Sequence, residues 1–289
     1  MNDAYTFYTT LRDAIEQKKP FYVGKCGGTE LRAIMLVDLA RQPDGRVQNF
    51  EIKPQLFYHS GVYPINKDSV VKFAEVYQSA LDQMDLNVEW NRVENQEKIF
   101  GRIPNRVLSL TAQASWYWRT PFSHLFKGKT VLVISPFHHY VEKQYHDRRQ
   151  CIFARDFDEE VLPEFTLRTM TVPLPMWNVS AENAALPETF GNRTWLTALD
   201  ELKRQMGEID FDIAVIGAGA FGLPLGAEVK RLGKVGIVLG GTLGPLFGIM
   251  GHRFDMYGIY KNFYYNDCWV RMEKPEGAEK MEKAAYWRH

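Results

Sequence analysis

The sequence has few cysteines, no long unbroken apolar run and no excess of one charge. Its three cysteines, Cys26, Cys151 and Cys268, are too few and too far apart for a disulfide framework or a zinc site. We therefore expect three free thiols and a reducing compartment. Because 35 Lys and Arg residues balance 35 Asp and Glu residues, nucleic-acid or membrane-surface binding would need a local basic patch.

No segment has the composition of a signal peptide or of a membrane span. The first 20 residues are charged and lack an apolar core. The longest uncharged stretch, residues 235–251, is interrupted by glycines and a proline, which would leave backbone groups unsatisfied in lipid. With 45% hydrophobic and 24% charged residues, the composition is that of a globular protein, and we expect a cytoplasmic one.

Short apolar runs alternate with helical periodicity along most of the chain. The runs typical of buried parallel strands lie at residues 21–23, 129–134, 166–172, 211–216 and 235–239. Helical spacing occurs at residues 5–18, 29–39, 68–84, 139–153, 193–206 and 221–232, with Thr29 as a predicted N-cap. This alternation predicts an α/β fold, a Rossmann-like parallel sheet flanked by helices, in one domain covering residues 1–289. Residues 42–64 have the pattern of a loop-rich insertion, and residues 86–118 give only a weak pattern.

Four loops follow predicted strands, which is where ligands bind in open parallel sheets. Glycines in these loops would let the backbone approach a ligand closely, and basic side chains would offset phosphate charge. The candidate binding residues are Lys25, Gly27, Gly28, Thr29, Ser135, His139, Gly217, Gly219, Gly222, Gly240, Gly241, Thr242 and Arg253.

Residues 217–222 match the pattern G-x-G-x-x-G between a strand and a helix, the context of a dinucleotide-binding turn. A dinucleotide site also needs an acidic residue about 20 positions later, yet none occurs between Glu228 and Asp255. NAD(P) binding is therefore one explanation of these glycines. Phosphate binding of another kind and tight packing are the others.

Three acidic or titratable residues near these loops are catalytic candidates. Glu30 is the only carboxylate of the first glycine turn and could be a metal ligand, an acceptor of a sugar hydroxyl or a general base. A carboxylate at a helix start is also stabilised by the helix dipole whatever its role. His138 and Asp255 are secondary candidates.

The ordered set of motifs resembles glycosyltransferases of the GT-D fold class, in particular proteins of polysaccharide-biosynthesis clusters. The matching segments span most of the chain. They are GKCGGTEL at residues 24–31, KGKTVLVISPF at 127–137 with QY at 144–145, DIAVIGAGAFGLPL at 212–225, LGKVGIVLGGTLGPLFGIMGHR at 232–253, Asn266, Trp269 and Tyr286-Trp287. The resemblance implies a Rossmann-like fold and transfer of a sugar from a nucleotide diphosphate sugar to an acceptor.

In characterised members, an Asp-x-Glu motif after the first strand helps to bind a metal and the nucleotide diphosphate. The matching positions here are Gly28, Thr29 and Glu30, so the Glu is kept and the Asp is absent. The resemblance implies Mn²⁺ or Mg²⁺ with Glu30 as a ligand. Hard cations prefer several charged oxygens, however, and a single carboxylate binds them weakly. The sequence therefore leaves metal dependence open. Without a metal, cationic or backbone donors would have to hold the diphosphate, with Lys25 and Arg253 as the candidates.

The sequence thus predicts a glycosyltransferase that moves a sugar from a nucleotide diphosphate sugar, UDP-linked in the first hypothesis, to a hydroxyl acceptor. A glycan in polysaccharide biosynthesis is the first hypothesis for that acceptor. A lipid-linked glycan, a protein or a hydroxylated DNA base would need the same donor machinery. The competing functions are an NAD(P)-dependent oxidoreductase and a non-catalytic protein that binds nucleotide sugars.

Overall fold

A sheet of parallel strands forms the centre of the protein. The structure is a computed structural model that describes residues 3–41, 55–89, 96–108, 110–153, 157–173, 194–274 and 285–287. Within this part, seven strands pair in the order β3-β2-β1-β7-β6-β4-β5. They are β1 (Phe21–Gly24), β2 (Leu86–Val88), β3 (Asn105–Val107), β4 (Thr130–Ile134), β5 (Thr166–Met170), β6 (Ile213–Ile216) and β7 (Val235–Val238). Two shorter strands, β8 (Ile249–Met250) and β9 (Val270–Arg271), pair separately.

Helices connect these strands and cover both faces of the sheet, which explains why the strands are apolar on both sides. The longer helices are α1 (Asp3–Glu16), α2 (Gly28–Ala40), α4 (Lys67–Asp82), α6 (His138–Ile152), α7 (Trp195–Gly207) and α8 (Gly222–Arg231). The single-turn helices are α3 (Gln55–Tyr58), α5 (Glu97–Phe100), α9 (Leu243–Leu246) and α10 (His252–Asp255). The predicted fold class, a Rossmann-like parallel sheet flanked by helices, is confirmed.

Two apolar clusters lie on opposite faces of the sheet. We call the face covered by α2, α4, α7 and α8 the front face, where Phe73 packs edge-on against Trp195 with ring centroids 5.3 Å apart. The back face is covered by α1, α6 and the chain that follows β7. Alternate strand residues serve the two clusters, so that Tyr22 of β1 faces the front and Val23 faces the back.

The chain leaves neighbouring central strands toward opposite faces. After β1 and β6 it enters α2 and α8 on the front face, as the burial of Leu31 and Leu223 there indicates. After β7 and β4 it turns to the back face, where Leu246 and Val141 are buried. Because the spatial order is β1-β7-β6-β4, the exits alternate along the carboxyl edge of the sheet. Such a divergence leaves a crevice above the strand ends.

Strands β2 and β3 were not predicted, because each has only three residues and β3 exposes two of them. The N-cap prediction for Thr29 was wrong. Gly27 is the N-cap of α2, and Thr29 lies inside the first turn. Most of the loop-rich stretch expected at residues 42–64 lies outside the described residues, although residues 55–58 form α3.

The prediction of three free thiols was wrong. Cys151 near the end of α6 and Cys268 just before β9 form a disulfide, and Cys26 is buried and belongs to no disulfide. The two cysteines are 117 residues apart, so the sequence gives no indication that they pair. The expectation of a reducing compartment rested on three free thiols and loses that basis.

Across the described residues, no helix combines the length and the apolar character needed to cross a bilayer.

The close contact between α8 and β1 gives a test of the packing. A methyl group at Gly226 would lie 2.4 Å from Cε2 of Tyr22, so we expect Gly226→Ala to lower the free energy of unfolding by about 1–3 kcal/mol through overpacking. Gly207→Ala is the matched control. Its methyl group meets no atom within 4 Å, and we expect no loss or a gain of up to about 1 kcal/mol. Urea denaturation measures both, and equal effects of the two substitutions would contradict this packing.

Candidate active site

A cavity of about 910 Å³ opens at the carboxyl edge of the sheet, above the strands whose exits diverge. The loops after β1, β4, β6 and β7 contribute to its wall, as do residues 59–61 and 249–251. It brings together most of the candidate residues. Those that line it are Lys25, Gly27, Gly28, Thr29, Glu30, Ser135, Gly217, Gly219, Gly240, Gly241, Thr242 and Arg253.

Two basic side chains meet over the turn that follows β7. Gly240 has φ +56°, and a Cβ there would stand 3.3 Å from Cε of Lys25. A Cβ at Gly241 would stand 2.4 Å from Nη1 of Arg253. Glycine at both positions leaves open the space that the two cations occupy, and at Gly240 it also suits the left-handed backbone. We call Lys25, Arg253 and this glycine pair the cation pair site.

The guanidinium of Arg253 has a fixed position. Its Cζ lies 4.6 Å from the centroid of the Tyr286 ring, a cation–π arrangement. The backbone N–H of Arg253 donates to the carbonyl oxygen of Ala285 at 3.0 Å. The segment 285–287 thus supports the arginine, and Phe137 holds that segment through ring contacts with Tyr286 and Trp287.

The positive charges of the cation pair site are destabilised by burial and by mutual repulsion. Burial and the neighbouring Arg253 lower the pKa of Lys25 from 10.5 to about 7. Burial and Arg253 also lower the pKa of His59, which lines the same cavity. Groups that repel one another in this way favour an anion between them.

The carboxylate of Glu30 lies in a different environment. Glu30 is the third residue of α2, and only 8% of its surface is exposed. A Cβ at the N-cap Gly27 would stand 2.0 Å from its Oε2, so the carboxylate folds back over the helix start and requires glycine there. Burial raises the pKa of Glu30, and its own backbone N–H and the nearby Ser60 side chain offset part of that rise.

The neighbours of Glu30 are uncharged groups. Burial and, after it, the charge of Glu30 raise the pKa values of Tyr77 and Cys26. Both side chains are therefore neutral beside the carboxylate. The described wall of the cavity thus carries the cations Lys25 and Arg253 over the turn that follows β7, and the carboxylate of Glu30 in the first turn of α2.

The glycines of the G-x-G-x-x-G turn pack loops together. A Cβ at Gly217 would lie 2.9 Å from the carbonyl oxygen of Gly240, and one at Gly219 would lie 2.8 Å from that of Ser60. The N–H of Ala220 donates to the same Ser60 oxygen at 2.8 Å. Gly222 does not line the cavity, and its missing side chain lets α8 approach Val238 of β7. Packing therefore accounts for this motif.

Three further candidates lie outside the lining of the cavity. Asp255 binds both terminal nitrogens of Arg271, at 2.9 and 3.0 Å, so its carboxylate is engaged in an ion pair on the back face. His138 and His139 begin α6, which turns the side chain of His139 toward solvent. The helix that follows β4 carries both histidines away from the cavity.

Several lining residues were not predicted. His59 and Ser60 come from the stretch interpreted as an insertion, and Tyr77 lies in α4, for which the sequence predicted a helix and no site residue. Tyr117, Tyr257 and Tyr260 add an aromatic wall. The buried hydroxyl of Tyr77 on an otherwise apolar helix face was the one available signal.

The donor set does not fit a divalent cation. Among the described residues, no group of three or more His, Cys, Asp and Glu side chains could hold a metal ion. Glu30 is the single carboxylate on the described wall of the cavity, which also carries Lys25 and Arg253. Hard cations prefer several charged oxygens, and nearby ammonium and guanidinium groups oppose their binding.

No family model matches the chain, and no curated protein matches it. A solved structure similar to it is described as the highly conserved domain of unknown function 1792, which has a distinct glycosyltransferase fold. The likeness covers 96% of this chain and 98% of that chain, with 13% sequence identity and a TM-score of 0.37.

The burial of Glu30 predicts a pH-dependent stability effect. A carboxyl with a raised pKa stabilises the folded state below its usual value of 4.5, and that contribution is lost as the pH rises through the folded-state pKa. We therefore expect the neutral variant Glu30→Gln to be more stable than the wild type at pH 8, by about 0.5–1 kcal/mol. The gain should disappear toward pH 4.

Thermal unfolding at both pH values measures this effect. Glu75→Gln, at an exposed position of α4, is the control and should stay within about 0.5 kcal/mol of the wild type. If Glu30→Gln instead lost the same stability at pH 4 and pH 8, the Glu30 carboxylate would not be desolvated in the folded protein.

Proposed function

We propose that this protein is a glycosyltransferase that takes a sugar from a nucleotide diphosphate sugar, UDP-linked, and transfers it to a hydroxyl group of a glycan. The observation that carries the proposal is that the described wall of one cavity carries two cations, Lys25 and Arg253, together with the carboxylate of Glu30. A sugar nucleotide needs these two kinds of group at different points. The diphosphate needs positive charge, and the attacking hydroxyl needs a base.

The cation pair site suits the diphosphate. Arg253 presents a planar fork of donors, and Lys25 adds a second positive charge over the same glycine turn. The cavity volume of about 910 Å³ lies within the range of about 300–1,000 Å³ for sites that hold ligands of this size. Tyr117, Tyr257 and Tyr260 offer ring faces on which a base or a sugar can stack.

Glu30 suits the part of a general base. Its raised pKa makes it a stronger base than an exposed carboxylate. In the proposed reaction, Glu30 takes the proton of the acceptor hydroxyl, the acceptor oxygen bonds to the anomeric carbon, and the bond from that carbon to the phosphate oxygen breaks. The negative charge that develops on the leaving diphosphate is stabilised by Lys25 and Arg253.

The competing functions receive less support. An NAD(P)-dependent oxidoreductase would bind the pyrophosphate at the G-x-G-x-x-G turn, yet packing against Ser60, Val238 and Gly240 accounts for those glycines. A hydroxylated DNA base as the acceptor would need a basic patch on a chain whose formal net charge is +0. A non-catalytic nucleotide-sugar-binding protein would share the cation pair site, and only turnover separates it from an enzyme.

The test compares binding with turnover. A thermal-shift panel of UDP, GDP and CMP, their sugar conjugates and NAD identifies the donor, and chromatography of the released nucleotide measures its hydrolysis or transfer. We expect Glu30→Gln to bind the donor with a Kd within about twofold of the wild type and to lose turnover by about 10²–10⁴-fold, the usual contribution of a general base.

Glu75→Gln, outside the cavity, is the control and should keep full turnover. Unchanged turnover in Glu30→Gln would remove Glu30 from the proposed role. Stabilisation by NAD alone would refute the glycosyltransferase.

A further inference from the structure

We propose that Lys25 and Arg253 together take the place of a divalent cation, so that the protein binds a diphosphate over the Gly240–Gly241 turn without a metal. The inference rests on the proposed function for its ligand class. It goes beyond that function because it names the two side chains that neutralise the diphosphate and states that the site needs no metal ion.

The first argument is the composition of the wall. A divalent cation between protein and diphosphate would need carboxylate oxygens on the protein side. The described wall offers the single carboxylate Glu30, which folds back over Gly27 and has uncharged groups as its neighbours. Lys25 and Arg253 instead lie over the Gly240–Gly241 turn.

The second argument is the convergence of two like charges. Lys25 and Arg253 lie close enough for Arg253 to lower the pKa of Lys25. Two cations held this close repel each other, and a bound anion lowers that repulsion. A diphosphate diester carries one negative charge on each phosphate, so the pair matches its charge one for one.

The third argument is the fit of the backbone to the cations. A methyl group at Gly241 would overlap Nη1 of Arg253, at a separation of 2.4 Å, and one at Gly240 would crowd Lys25. Tyr286 holds the guanidinium from its other side. Because the fork is fixed before the ligand binds, less side-chain entropy is lost on binding a phosphate pair.

The test measures binding of UDP and of inorganic pyrophosphate by titration calorimetry in EDTA, and again with Mn²⁺ in excess over EDTA. We expect both ligands to bind in EDTA, with Kd values changed less than about threefold by Mn²⁺. Arg253→Gln and Gly241→Ala should each weaken binding at least about tenfold, whereas Arg253→Lys should lose less than Arg253→Gln. Arg204→Gln, at an exposed position of α7, is the control and should bind as the wild type does.

The outcomes separate this inference from the proposed function. Binding of UDP only when Mn²⁺ is added would overturn the inference and leave a glycosyltransferase possible. Binding in EDTA without any sugar transfer would support the inference and refute the enzyme. No binding of either ligand under both conditions would refute both. Circular dichroism of each variant shows whether a loss of binding comes from a loss of folding.

A second measurement tests whether Lys25 gains a proton when the diphosphate binds. Its charged and titratable neighbours in the cavity are Arg32, Glu30, His59, Arg253, Tyr77, Tyr117, Tyr257, Tyr260 and Tyr286. Since burial and Arg253 lower the pKa of Lys25 to about 7, a diphosphate that binds at pH 8 should draw a proton onto it. Calorimetry in two buffers of different ionisation enthalpy measures this proton uptake.

We expect uptake in the wild type and in His59→Gln, and less uptake in Lys25→Met. Equal uptake in the wild type and in Lys25→Met would show that Lys25 does not contact the bound diphosphate.

Discussion

The alternating exit of the chain from neighbouring strands is the constraint on which the site depends. Strands β1 and β6 lead to the front face, and β7 and β4 lead to the back face, so the chain diverges above the edge that they share. The ends of four strands therefore meet around one cavity. Residues that are 228 positions apart, Lys25 and Arg253, become neighbours because β1 pairs directly with β7. The parallel pairing of these strands thus determines which charges line the cavity.

The cavity concentrates features that folding alone would not select. A lysine with a lowered pKa and a glutamate with a raised pKa both lower the stability of the folded state near neutral pH. Elsewhere the charged side chains form ordinary ion pairs at the surface, such as Arg204 with Glu201. Conflict between local physical chemistry and stability is typical of functional sites. Lys25 and Glu30 show this conflict with opposite charge in the lining of one cavity.

The sequence predicted the long, periodic elements well and the short ones poorly. Five of the seven strands of the main sheet and the helices of the front face followed from apolar runs and helical spacing, whereas β2 and β3 are too short to show a pattern. Glycine density at Gly240 and Gly241 indicated the correct loop because close approach of side chains leaves glycine as the fitting residue. The sequence could not show that His59 and Ser60 reach the cavity, or that Asp255 is engaged by Arg271, since both depend on contacts distant along the chain.

The Cys151–Cys268 link joins the end of α6 to the strand pair behind the cavity. Hydrogen bonds from Asn266 and Trp269 to the carbonyl oxygen of Ile152 also join these two segments, independently of the disulfide. The covalent bond therefore encloses the stretch between the two cysteines as a closed ring. A protease that cuts the backbone once within this ring leaves both pieces attached, so such a nick shows on an electrophoresis gel only after the thiols have been reduced.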